Sequence, residues 1–257
     1  MIRPFLAFVL SAALPVAAGL IERPVEYQAG GVLFEGWEAF DDKNTTRLPA
    51  VLIVHQWTGI SDHEKTSARR LAAMGYNVLV ADVYGKGVRP QPPEAGREAG
   101  KYKKDRDLLR ARLLAGLKVL QEDPRTDGSR IACMGYCFGG MAAIELARAG
   151  APLRAAVSFH GSLDSPRPQD GANIRCRILA LHGADDPFVP ASDLGAFEQK
   201  MKQAGVAYKL VQYPGAVHAF TQRAAGDDPS KSAAYNEAAD KASWEEMKTC
   251  FGDVFQR

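Results

Sequence analysis

The sequence predicts a doubly wound α/β domain, a mostly parallel β-sheet flanked by helices. Three observations carry that reading. Short uninterrupted apolar runs recur, as in Ala50-Val51-Leu52-Ile53-Val54, and such runs suit strands buried on both faces. They alternate with longer amphipathic stretches of helical spacing. The 257 residues, 46% hydrophobic and 24% charged, suffice for one large domain, and no repeat or composition shift marks a second.

The first residues stand apart. Arg3 precedes an apolar stretch from Phe5 to Ala18, and Val16-Ala17-Ala18 offers small residues before a cut at Gly19. This pattern predicts a signal peptide over residues 1–18 and a periplasmic or secreted domain over residues 19–257. The apolar stretch falls short of the ~20 residues of a membrane-spanning helix, so no stable membrane insertion is expected after cleavage.

Val32 to Phe40 reads as an early antiparallel strand, and Asp41 to Pro49 as polar turns. Ala50 to His55 is a buried strand. Ser61 and Asp62 offer N-caps for a helix over Glu64 to Met74, which Gly75 ends. Asn77 to Ala81 is the next strand. Asp82 to Gly100, rich in Gly and Pro, reads as a long functional loop. Asp105 to Gln121 is a helix with Leu109, Leu113, Leu117 and Leu120 on one face. A strand at Arg130 to Met134 leads into a helix at Phe138 to Ala149. Strands follow at Ala155 to Phe159 and Arg177 to Leu181, then a helix at Ala191 to Gln203 and a strand at Ala207 to Tyr213. A last helix covers about Ser232 to Cys250.

Sheets of this kind bind ligands at the carboxyl ends of their strands. Gly135-Tyr136-Cys137-Phe138-Gly139-Gly140 falls at such an end, between a strand and a helix. That is the G-x-[Ser/Cys]-x-G nucleophile elbow in its required context. Glycines flank the nucleophile because the tight turn leaves no room for side chains. The helix N-terminus that follows favours a thiolate on Cys137. The other reading, a buried inert thiol, suits Cys133 inside the strand better.

A thiol needs a base, and elbow enzymes supply nucleophile, acid and histidine in that chain order. His182-Gly183-Ala184-Asp185-Asp186-Pro187 ends one strand and Tyr213-Pro214-Gly215-Ala216-Val217-His218 the next. Of the five histidines, His218 alone fits the order. His63 reads as solvated, His182 as orienting the acid turn, and His160 as a candidate pocket residue. Asp186, just before Pro187, is preferred over Asp185 as the acid. Cys137, Asp186 and His218 are therefore the expected catalytic residues.

The formal net charge of +2 is spread along the chain, so nucleic acid is not an expected partner. No run of residues has metal-ligand spacing, and neither a metal nor another cofactor is expected. Four cysteines are too few for a disulfide scaffold, although a Cys176–Cys250 bridge is open to an exported chain.

Together these motifs resemble the dienelactone hydrolase family. The matching segments are His55-Gln56-Trp57-Thr58-Gly59, Ala81-Asp82-Val83-Tyr84-Gly85, the Gly135–Gly140 elbow with cysteine, Asp186-Pro187-Phe188-Val189-Pro190, and Gly215-Ala216-Val217-His218-Ala219-Phe220. The resemblance implies an α/β-hydrolase fold and hydrolysis of a small ester or lactone. It also implies an oxyanion hole from the backbone N–H groups of Phe138 and Trp57. Two departures stand out. Gln56 replaces a glutamate that takes part in activating the family's cysteine. Gln222, beside Arg223, replaces an arginine that grips the substrate carboxylate. Lys86 and Arg89 are candidates to supply that charge, and Tyr84 and Phe188 complete the expected pocket with Gln56, His160 and Gln222. A ligand-binding protein that has lost turnover, prompted by Gln56, and a thiol-redox protein, prompted by Cys133 and Cys137, are the competing readings.

Overall fold

The apolar run at 50–54 becomes a central strand in the computed structural model, which describes residues 19–256. The expected signal peptide lies outside the described residues. Eight strands form one sheet: β1 (Leu20–Ala29), β2 (Val32–Asp41), β3 (Leu48–Val54), β4 (Asn77–Ala81), β5 (Thr126–Tyr136), β6 (Ala155–Phe159), β7 (Arg177–Gly183) and β8 (Tyr208–Tyr213). Their order is β1-β2-β4-β3-β5-β6-β7-β8. β1 pairs antiparallel with β2 and β2 with β4; all other pairs are parallel.

Side-chain alternation builds two cores from one strand. On β3, Ala50, Leu52 and Val54 join a core under α3 (Arg106–Glu122), α4 (Phe138–Arg148) and α5 (Ala191–Gln203). Val51 and Ile53 face the opposite core, closed by α1 (Asp62–Ala72) and α6 (Glu237–Phe255). Helices on both faces explain why these strands are apolar without interruption. Ser61 and Glu64 form a reciprocal capping box that starts α1.

Four features differ from the sequence reading. β1 has no counterpart in it, because Glu22, Arg23, Pro24 and Glu26 interrupt the apolar pattern of this edge strand. Its Tyr27 hydroxyl accepts the Asp82 N–H at 3.0 Å and donates to the Asp82 carbonyl at 2.9 Å. The stretch expected to be loop to Gly100 holds α2 (Glu94–Lys104), whose buried face is Ala95, Ala99 and Tyr102. Two small residues and one aromatic make a weak periodic signal, and Gly96 and Gly100 obscure it. The last helix starts five residues later than expected, at Glu237, where the Asn236 side chain caps the Ala239 N–H at 3.0 Å. All four cysteines are free thiols, so the Cys176–Cys250 bridge is not formed. Cys176 and Cys250 belong to opposite cores.

Candidate active site

The loops after β3, β5, β6, β7 and β8 converge at the carboxyl edge of the sheet. Cys137 sits between β5 and α4 with φ 53°, a left-handed value unusual for any residue but glycine. The neighbouring glycines show why the turn closes there. A Cβ on Gly135 would overlap the Gly139 carbonyl, and one on Gly139 would overlap the Val54 carbonyl of β3. Gly139→Ala should therefore cost about 3 kcal/mol or more of stability, as overpacking against rigid backbone does. A denaturation midpoint unchanged from wild type would show that β3 can yield.

From that turn a hydrogen-bonded line runs through three side chains. The Cys137 Sγ lies 3.1 Å from His218 Nε2, and His218 Nδ1 lies 2.8 Å from Asp186 Oδ2. Asp186 Oδ1 accepts the Phe188 N–H at 2.9 Å, so both carboxylate oxygens are engaged. Asp185 faces elsewhere, accepting the Gly215 N–H at 2.9 Å and closing the histidine loop. His182 Nε2 stands 3.8 Å from Asp186 Oδ2, near the acid but beyond hydrogen-bond reach. The line is largely enclosed: the Asp186 side chain is fully buried and His218 is 15% exposed.

Burial works against a charge on His218. The hydrogen bonds to Asp186 and Cys137 and their negative charge outweigh it, and the pKa rises to about 9. His160 and His182 are pushed the other way, first by burial; His218 adds to this for both. One ring in this cluster is thus selected to carry a proton at neutral pH.

The loop after β3 is fixed by His55. Its Nε2 accepts the Val83 N–H at 3.0 Å, so the neutral ring donates from Nδ1 to the Gln56 carbonyl at 2.6 Å. Trp57 follows, with its carbonyl accepting the Tyr84 hydroxyl at 2.9 Å. Gly139 brings the start of α4 against Val54 and His55, and the Phe138 ring stacks on His55 at 6.1 Å. Phe138 opens α4, where the first-turn N–H groups have no acceptor within the helix.

A cleft of about 590 Å³ opens between α1, α6 and the loop after His218, and none of Cys137, His218 and Asp186 lines it. Gln56 and Gln222, two of the expected pocket residues, line it together with Trp57. None of the remaining expected pocket residues lines this cleft. Lys86 points outward and pairs with Glu26 and Glu35. Arg89 donates to the Glu35 carbonyl at 3.1 Å and faces a separate groove with Trp37 and Lys65. Neither supplies the cleft with charge, because acids and carbonyls of the β1–β2 edge hold both. Tyr84 is buried behind Trp57 rather than lining the cleft. Phe188, 61% exposed, lies edge-on to His218, and His160 is buried behind that ring.

The cleft's other walls escaped the sequence reading. His63, expected to be solvated, is mostly enclosed, edge-on to the Tyr136 ring at 4.4 Å. Burial lowers its pKa to about 4. Tyr136, Thr221, Arg70, Arg223 and Asp240 also line the cleft. A signal existed for Thr221, a hydroxyl three residues beyond His218; none existed for Arg70 or Asp240, which reach the cleft only through helix packing.

The model of the dienelactone hydrolase family matches residues 35–255. The chain belongs to the dienelactone hydrolase family. A Bradyrhizobium sp. protein named a probable 2-oxo-3-(5-oxofuran-2-ylidene)propanoate lactonase is 30% identical over 68% of this chain and 75% of its own. Among solved structures, a dienelactone hydrolase-like promiscuous phosphotriesterase from metagenomic libraries is 34% identical. It superposes with a TM-score of 0.88 over 92% of this chain and 99% of its own. A second structure, m3DLH, is also 34% identical, with a TM-score of 0.89 over the same shares. As a member of this family the chain is a hydrolase of the α/β-hydrolase fold.

Proposed function

We propose that this chain hydrolyses small carboxylic esters or lactones through a Cys137–His218–Asp186 triad and a thioester intermediate. The observation that carries the reading is the unbroken Sγ–Nε2–Nδ1–Oδ2 line at an elbow. The Cys137 thiolate attacks the carbonyl carbon, forming a C–S bond while the carbonyl electrons move to oxygen. The backbone N–H groups of Phe138 and Trp57 receive that oxyanion, a contribution of several kcal/mol in such sites. As the C–O bond breaks, His218 gives its proton to the leaving alkoxide. Water then attacks the thioester, His218 takes the water's proton, and the acid leaves as the thiolate reforms.

The causes of the His218 shift fit both halves of this cycle. With Cys137 free, two partners hold the proton on the ring and its pKa is raised to about 9. Acylation removes the Cys137 contribution and leaves burial opposed by Asp186 alone. The ring's pKa then falls, and it becomes a base when water needs one. Gln56 is outside the line, so a cysteine paired with His218 does not depend on a carboxylate there. That favours turnover over a binding protein that has lost it.

A panel of aryl esters and lactones assayed across pH tests this reading. For a good substrate, kcat/KM should fall as pH rises through about 9, because the imidazolium that protonates the leaving group is lost there. A rate that keeps rising well above that pH, or no turnover of any panel member, would overturn it. The signal-like first 18 residues support export to the periplasm or medium as part of the proposal.

A further inference from the structure

The end of β6 touches both halves of this chemistry. The Phe159 carbonyl accepts the Cys137 N–H at 3.0 Å, so β6 braces the elbow. The next residue, His160, is fully buried, with φ 42°. The other non-glycine residues of positive φ among those described are Cys137 and Ala219, at 53° and 58°. Backbone strain of this kind persists where surrounding structure over-determines it, and all of it lies around the hydrogen-bonded line.

The contacts of His160 show what that strain holds in place. Its N–H continues the ladder to the Leu181 carbonyl at 2.8 Å. Its Nε2 lies 2.9 Å from the Thr221 hydroxyl, on the same loop as His218. Its ring meets the His218 ring edge to face, with centroids 5.2 Å apart and planes at 68°. Phe188 meets the same ring at 5.2 Å and 84°. The titratable groups facing His160 are His218, His63 and His182. Burial keeps His160 neutral among them, so it adds no second charge beside the imidazolium.

We propose that His160 is a positioning residue for His218: anchored through Thr221, it fixes the imidazole so that Nε2 stays on Cys137. The proposal rests on the reading of Cys137, His218 and Asp186 as the catalytic line. Misplacement of a reacting group by about 1 Å can cost roughly a hundred-fold in rate, so such an anchor has a measurable effect.

The test is a double-mutant cycle with two readouts. His160→Phe keeps an aromatic ring and removes the bond to Thr221; Thr221→Val keeps the shape and removes it from the other side. Each variant is measured for ester hydrolysis and for the rate of Cys137 alkylation by iodoacetamide, which needs no enzyme substrate. Each single variant should lower kcat roughly ten-fold or more with KM within about two-fold, and should slow alkylation at neutral pH. Thr221→Val also removes the 3.5 Å contact of that hydroxyl to His63 Nε2, so the double variant should be no worse than Thr221→Val alone, because His160 acts through the same hydroxyl. Thr221→Ser, which keeps the hydroxyl, should restore both rates. Folded single variants with unchanged kcat and alkylation, or losses that add in the double, overturn the proposal. If His160→Phe does not fold, the comparison of Thr221→Val with Thr221→Ser decides. Slowed alkylation in variants of a wild type that turns over no ester would sink the hydrolase reading while sustaining the positioning role.

Discussion

Cys137→Ala should lower kcat for a small aryl ester by at least roughly a thousand-fold, the scale on which removal of a nucleophile acts in comparable triads. In the proposed mechanism the substitution removes the atom that bonds to the acyl group. The residual rate would come from the oxyanion donors and from binding. The fold should survive: Cys137 is held by backbone, through its N–H to Phe159 and its carbonyl to Gly140 at 3.1 Å. Alanine meets the same positive φ that cysteine already meets. A second measurement separates lost chemistry from lost structure. Cys133, Cys176 and Cys250 are buried, and burial pushes all three thiols up. Iodoacetamide should therefore modify the native wild type at one position and the variant at none. An alanine variant with wild-type turnover would remove Cys137 from the mechanism, whatever its neighbours do.

The elbow was legible in the sequence because its chemistry and its backbone impose the same residues. Gly135 and Gly139 are needed where the turn meets backbone, and Cys137 where it points out; one short motif reports both. Asp186 and His218 were legible through chain order and through their place after β7 and β8. The choice of Asp186 over Asp185 rested on Pro187, and the structure puts Asp186 on the ring while Asp185 ties down Gly215. The pocket was far less legible. Lys86 and Arg89 had the right charge and the right loop, but β1, absent from the sequence reading, brings Glu26 to Lys86. Arg70, His63 and Asp240 lie on helices whose faces toward the cleft depend on how α1 and α6 pack on the sheet. Local pattern carries no such information. His160 was assigned to the pocket from its place after a strand, which was correct about the neighbourhood but not about the side chain's orientation.

Asp186→Asn should lower kcat by roughly ten-thousand-fold, the loss seen when a triad acid becomes a carboxamide. The two side chains are nearly the same shape, and the amide oxygen can still accept the Phe188 N–H now bound at 2.9 Å. The protein should fold, and the buried charge is simply gone. What changes is the ring. An amide N–H toward Nδ1 would turn that nitrogen into an acceptor and put the ring proton on Nε2, facing Cys137. Neutral His218 could then accept a proton neither from the thiol nor from water. The sign of the pH effect follows from the same contacts. Asp186 opposes burial in raising the His218 pKa to about 9, so its loss must lower that pKa. The alkaline limb of kcat/KM should move to lower pH, and alkylation of Cys137 at neutral pH should slow with it. A variant within ten-fold of wild type, with its limb unmoved, would mean that Asp186 holds the loop and not the charge on His218.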